Sequence, residues 1–143
     1  MQDTIERSIA ITAPLERVWE LLTEPGWWVP TDHPVQADRT PGTVVVRESE
    51  KWGRFPVEVV ELRPMTYAAF RWASTFPGDE LSAGRTTLIE FTVTPTEDGV
   101  AVSVVESGFA KLEAPDDLKS QSFESNSGGW TQELESLRTR AEV

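Results

Sequence analysis

No cysteine occurs in this chain, and histidine and tyrosine occur once each. Without thiols there is no disulfide framework, no thiolate metal site and no cysteine nucleophile. With His33 as the one imidazole, a two-histidine zinc site is excluded. A serine–histidine pair would have to use a residue in a proline-rich loop, where His33 reads as a solvated side chain. Positive charge is also scarce: 13 Lys+Arg stand against 24 Asp+Glu, a net charge of -11. That balance repels phosphate backbones and anionic surfaces, so neither nucleic acid nor membrane is an expected partner. No window approaches the ~20 apolar residues of a membrane span, and Met1 to Arg7 lack the apolar stretch of a signal peptide. The expected location is cytoplasmic. No glycine-rich phosphate cradle leads from a strand into a helix, so no nucleotide cofactor is expected, and no metal is assigned.

What the chain does have is ordered patterning. At 143 residues it suits a single domain, residues 1–143, burying about 70% of its unfolded surface. Thr4 to Thr12 alternates as a first strand. Pro14 then opens a helix to Thr23, with Leu15, Val18, Trp19 and Leu22 on one stripe. Pro25 to Gly42 carries four prolines and two glycines and reads as a long irregular loop of the kind that is functional or mobile. Five strands follow: Thr43 to Glu50, Arg54 to Leu62, Tyr67 to Ser74, Arg85 to Thr94 and Val100 to Gly108. Turn chemistry separates them, including Trp52-Gly53, Phe76-Pro77-Gly78-Asp79 and the hairpin signal Glu97-Asp98-Gly99. Pro115-Asp116-Asp117 then favours a helix N-terminus. Near the C-terminus Trp130, Leu134, Leu137 and Ala141 recur at i, i+4, i+7 and i+11, one apolar stripe whose backward continuation reaches Asn126, Ser127 and Phe123. The pattern predicts one long helix laid across a curved antiparallel sheet, apolar at its end and polar near its middle.

Strand parity turns this outline into candidate residues. Ile89, Phe91 and Val93 share one face, as do Val100, Val102 and Val104, and both faces should point inward. Extending the second series places Glu106 inside. A buried polar group without a partner costs a few kcal/mol, so Glu106 should meet Asn126 and Ser127 from the helix across an apolar chamber and bind the polar end of a ligand. The plain alternative is a wet rim, or an ion pair with Arg71 or Arg85. Gly128 and Gly129 each cost about 1 kcal/mol inside a helix relative to alanine. They imply either a bend or a break with a restart at Trp130.

Six tryptophans each bring a large apolar face and one N–H that needs a partner. Trp19 falls on the apolar stripe of the first helix. Trp27 and Trp28 sit in the loop with no periodicity to bury them, and read either as a pocket mouth or partner surface, or as packing beneath the loop. Phe70 and Trp72 share a strand face. With Ile89, Phe91, Val104, Phe123 and Trp130 they line the chamber or fill it.

The order of elements and several local phrases resemble the helix-grip (SRPBCC) superfamily of START and birch-pollen-allergen proteins. Within it they resemble the domain homologous to the activator of heat-shock-protein ATPase. The residues that carry this are Ile11-Thr12-Ala13-Pro14 running into Val18-Trp19, then Trp27-Trp28, Asp38-Arg39-Thr40-Pro41-Gly42, Phe70-Arg71-Trp72, Val104 to Phe109, and Gly129-Trp130. Thr43 stands where the family often has a second glycine. The resemblance implies an α+β helix-grip fold: a curved six-stranded antiparallel sheet wrapped around a long C-terminal helix, with short helices after the first strand. It also implies a small hydrophobic or amphipathic ligand held between sheet and helix.

Two other functions stay open. A polyketide cyclase- or aromatase-like enzyme would use Glu106, helped by Tyr67 or Arg71, as general base. A co-chaperone or other protein-binding module is the third reading, weaker for a chain read as one isolated domain. An exposed patch at Trp27 and Trp28 would favour a protein partner, whereas an internal cavity would favour a ligand or catalysis. The assembly is expected to be a monomer or a homodimer.

Overall fold

The computed structural model describes residues 3–29, 31, 38–51, 53–76, 81–82 and 84–143. His33, Trp52 and the turn residues Pro77 to Asp79 lie outside the described residues. Strand β1 (Thr4–Ile11) leads through Pro14 into helix α1 (Leu15–Leu22). Strands β2 (Val44–Ser49), β3 (Gly53–Arg63), β4 (Tyr67–Trp72), β5 (Thr87–Pro95) and β6 (Val100–Ser107) follow, then a 3-10 turn (Phe109–Lys111) and helix α2 (Asp116–Ala141). All neighbouring pairs are antiparallel, in the order β1-β6-β5-β4-β3-β2. The result is a meander of five strands with β1 closing against the last of them.

Strand alternation sets the core. Phe70, Ile89, Phe91, Val100, Val102 and Val104 are all fully buried, as parity predicts. One inserted residue between Val59 and Glu61 shifts the β3–β4 register, increasing the local twist. Helix α2 packs on β1 and α1, and the buried residues of its C-terminal half are Trp130, Leu134, Leu137 and Ala141. Asp116 and Asp117 in its first turn and Arg138 and Arg140 in its last complement the helix dipole. The helix runs unbroken through Gly128 and Gly129, so the break considered above does not occur. No helix among the described residues is long and apolar enough to cross a membrane.

Two local features depart from expectation. Between α1 and β2 the described segment 24–29 forms tight turns, with Trp27 N–H donating to Glu24 O at 3.0 Å and Val29 N–H to Gly26 O at 2.8 Å, and no second helix is found there among the described residues. The link after β6 contains the 3-10 turn, and the amides of its capping Gly108 and of Ala110 donate to the Asp3 carboxylate at 3.2 and 3.0 Å.

On the outer face, the Tyr67 hydroxyl donates to Glu90 Oε2 at 2.5 Å. Burial, reinforced by the Glu90 hydrogen bond and charge, pushes the phenol up to about 12. The native chain therefore keeps a proton that the unfolded chain releases near 10, and this group's contribution to stability falls as pH rises between the two. Tyr67 is the one tyrosine, so phenolate absorbance reports it alone. Its titration midpoint is expected at about 12, moving down in Glu90→Gln.

Candidate functional site

The site begins with an arginine on the inward face of β2. Val45, Arg47 and Ser49 alternate inward. Arg47 is buried among them, its Nε and Nη2 donating to Val29 O at 3.2 and 3.1 Å and its Nη1 to Glu24 Oε2 at 3.3 Å. The loop can close down on this guanidinium because residue 26 is glycine: its φ is +75°, and a Cβ there would sit 2.5 Å from Arg47 Cγ. The charge thus ties 24–29 to the sheet and drives the intervening Trp27 and Trp28 inward.

Both indoles end up buried, in the space between sheet and α2. Trp28 is the hub, with ring centroids 5.5 Å from Phe70, 5.6 Å from Trp72, 5.6 Å from Trp130 and 5.8 Å from Phe91. Trp27 packs on Phe91 at 5.6 Å and on Trp130 at 6.4 Å. These edge-on and tilted contacts are the arrangements that ring quadrupoles favour. The chamber expected from the sequence is therefore largely filled by the loop's own tryptophans. Neither Trp27 Nε1 nor Trp28 Nε1 has a hydrogen-bond partner among the described residues.

Trp72 and Trp130 differ in this respect, because their N–H groups converge on Glu106. The carboxyl is completely buried. Its Oε2 accepts from Trp72 Nε1 at 2.8 Å and lies 2.6 Å from Thr87 Oγ1; its Oε1 accepts from Trp130 Nε1 at 2.8 Å. Asn126 Nδ2 reaches both oxygens, at 3.1 and 3.2 Å. Burial pushes the Glu106 carboxyl above its ordinary range, while hydrogen bonds from Thr87, Trp72, Trp130 and Asn126 pull it back. Indole and amide N–H groups only donate, whereas the Thr87 hydroxyl can also accept. A proton on Oε2 can therefore be shared with Thr87 without breaking the other bonds.

Three clefts open beside this network. The first, about 150 Å³, has walls of Trp28, Trp72 and Trp130 and is flanked by Asn126, Gly129 and Glu133. The second, about 210 Å³, adds Val29, Phe55 and Ser74. The third, about 260 Å³, adds Gln121 and Ser122. Ser125 and Asn126 line all three, so the clefts form one groove along α2. Burial pushes the Glu133 carboxyl up, with the charge of Arg140 opposing.

The structure distributes the sequence candidates unevenly. Trp28, Trp72, Asn126 and Trp130 line the groove, and Glu106 lies buried behind them. Trp27, Phe70, Ile89, Phe91 and Val104 are core. Phe123 packs on Phe109 at 5.2 Å, and Ser127 Oγ donates to Phe123 O at 2.7 Å rather than to Glu106. Arg71 pairs with Glu58 at 3.5 Å and Arg85 stacks over Phe76 at 3.8 Å, so neither serves as the ion-pair partner considered for Glu106. Thr87 was missed although it shares the parity of Ile89 and Phe91, as was Arg47, an arginine on an inward strand position. Glu133, Phe55, Ser74 and Ser125 had no such signal.

The sequence profile of activator of Hsp90 ATPase homolog 1-like proteins matches residues 12–142. The chain belongs to this family. Among curated proteins no match is found. Solved structures of similar fold include protein MLL2253 from Mesorhizobium loti, 21% identical over 96% of this chain and 95% of that one, with a TM-score of 0.73. The Aha1 dimer from Colwellia psychrerythraea is 18% identical over 99% and 98%, with a TM-score of 0.71. DynU16, a protein of the dynemicin biosynthetic locus, is 20% identical with a TM-score of 0.73. It contains the whole of this chain's fold in 48% of its own length. At these identities the likeness is one of fold, and the family's helix-grip architecture is the one found here.

Proposed function

We propose that this member of the family binds a small amphipathic molecule in the groove between α2 and the Trp28–Trp72 wall. The observation that carries the reading is the joining of three clefts through Ser125 and Asn126, with indole walls on one side and hydroxyl and amide groups on the other. Such a surface suits a ligand with an apolar body and a hydrogen-bonding end. The indoles of Trp72 and Trp130 are held by Glu106, so the walls are set before a ligand arrives, which lowers the ordering cost of binding.

The enzymatic alternative loses its named parts. Glu106 is sealed from the groove by its own donors, while Tyr67 and Arg71 bond to Glu90 and Glu58. Their strand positions alternate with inward-facing Ala68, Phe70 and Trp72, placing them on the opposite face of the sheet. The protein-partner alternative drew on an exposed Trp27–Trp28 patch, and both rings are buried. We retain monomer or homodimer as the proposed assembly.

Gly129 supplies the test. A Cβ there meets nothing within 4 Å and Gly129 lines the first cleft, so a leucine is placed to occupy that cleft, and it also removes a helix glycine worth about 1 kcal/mol. Gly129→Leu is expected to raise the melting temperature by roughly 2–4 °C. Native mass spectrometry of wild-type protein purified from its host is expected to find a retained molecule, and Gly129→Leu should abolish that retention. A variant that retains the molecule at wild-type stoichiometry would place the binding site elsewhere.

A further inference from the structure

The described lining of the groove carries charge of one sign. Among the described residues, Glu133 is the one charged side chain lining the three clefts, and none of the lining residues is lysine or arginine. The Glu133 carboxylate is half-buried at the end of the aromatic cleft, with no basic group within 4 Å among the described residues; Arg140 acts on it only from further away. A desolvated carboxylate beside apolar rings gains most from an incoming cation. Two turns earlier on α2, the Asn126 amide nitrogen is committed to Glu106 and Ser74. Its carbonyl oxygen remains an acceptor for a ligand N–H.

The indoles point to the same chemistry. Trp72 and Trp130 both donate their N–H to Glu106, which shifts electron density toward their rings and strengthens their attraction for a positive charge. Trp28 meets Trp72 at 87° and Trp130 at 49°, giving walls in different planes around one cleft. From Gln121 to Glu133 the helix face of the groove extends about 18 Å at 1.5 Å per residue, room for a body several bonds longer than the charged end. An anionic ligand would instead meet Glu133 and the field of a chain with net charge -11.

We propose that the groove selects an organic cation: a protonated amine on a flat or extended apolar body, with its ammonium group at Glu133 and its body along Trp28, Trp72 and Trp130. This rests on the groove being the binding site. The test uses three probes of one skeleton, naphthylmethylamine, naphthylmethanol and naphthoate, measured by isothermal titration calorimetry on the wild type, Glu133→Gln and Gly129→Leu. The amine is expected to bind wild-type protein roughly tenfold tighter than the alcohol, with the carboxylate weakest. Glu133→Gln should erase the preference for amine over alcohol by weakening the amine far more than the alcohol, and Gly129→Leu should weaken all three.

Equal binding of amine and alcohol, or tightest binding of the carboxylate, overturns the charge selection while leaving the groove in place, provided Gly129→Leu still blocks binding. Binding that is indifferent to Gly129→Leu, or no binding by any probe, overturns both. Far-UV circular dichroism of the two variants excludes misfolding as the source of a loss.

Discussion

Glu106→Gln is expected to destabilise the chain by about 1–3 kcal/mol at about pH 5, with a smaller deficit at about pH 8. The carboxyl accepts two indole N–H bonds, one on each oxygen. An amide has one acceptor oxygen and one NH2 group, so either orientation turns a donor toward a donor and orphans Trp72 or Trp130. Thr87 can rotate to accept, but an indole cannot. The acid form of Glu106 avoids this conflict because its hydroxyl oxygen keeps a lone pair for Trp72 while its proton goes to Thr87.

The pH trend follows from linkage. Burial raises the native carboxyl above its ordinary value, so between the ordinary and the raised value the native state holds a proton that the unfolded state has lost. Stability from this group is fully present below the ordinary carboxylate range and is lost as pH rises through the native value. Glutamine has no such proton, so the wild-type advantage should shrink as pH rises. Urea unfolding followed by far-UV circular dichroism measures both quantities. A glutamine variant as stable as wild type at about pH 5, or a gap that widens with pH, would contradict the network as drawn.

Trp28→Ala is expected to cost about 3–5 kcal/mol, the usual penalty for emptying a large aromatic site in a packed core. Its ring touches Phe70, Trp72, Phe91 and Trp130, so little can collapse into the space without moving the Glu106 donors. The informative contrast is with phenylalanine. Trp28 Nε1 is buried with no partner among the described residues, and removing such a group recovers part of the packing lost with the smaller ring. Trp130 Nε1 is bonded to Glu106, so the same change there orphans an acceptor. Trp28→Phe should therefore be clearly less damaging than Trp130→Phe, as measured by urea midpoints. The reverse order would mean that the Trp28 N–H has a partner.

Much of the fold was legible because its elements repeat with fixed periods. Two-residue alternation turned Val100, Val102 and Val104 inward and carried Glu106 with them; the same rule applied to β5 would have found Thr87. The i, i+4, i+7, i+11 stripe of Trp130, Leu134, Leu137 and Ala141 set the packed face of α2. Trp27 and Trp28 resisted because a loop has no period. Their inward position depends on Arg47, some twenty residues away, and on a glycine that lets the backbone close over it. The groove resisted for a related reason: its helix side is made of small and polar residues such as Ser125 and Gly129, which read in sequence as solvent-facing.

The pairing of β1 with β6 has a consequence for how the chain acquires its structure. Thr4 pairs with Ser107 and Ile11 with Val100, and β1 has no other strand neighbour among the described residues. A ribosome adding about 5–20 residues per second emits β1 roughly 5–20 s before β6. Throughout that interval Ile5 and Ile11, both buried in the finished sheet, lack the strand that pairs beside them. Such distant pairing also slows the search for the native state, since loop closure comes before the contacts that reward it. The nascent N-terminal strand is thus the segment most exposed to mispairing or to capture by a holdase until the final hairpin emerges.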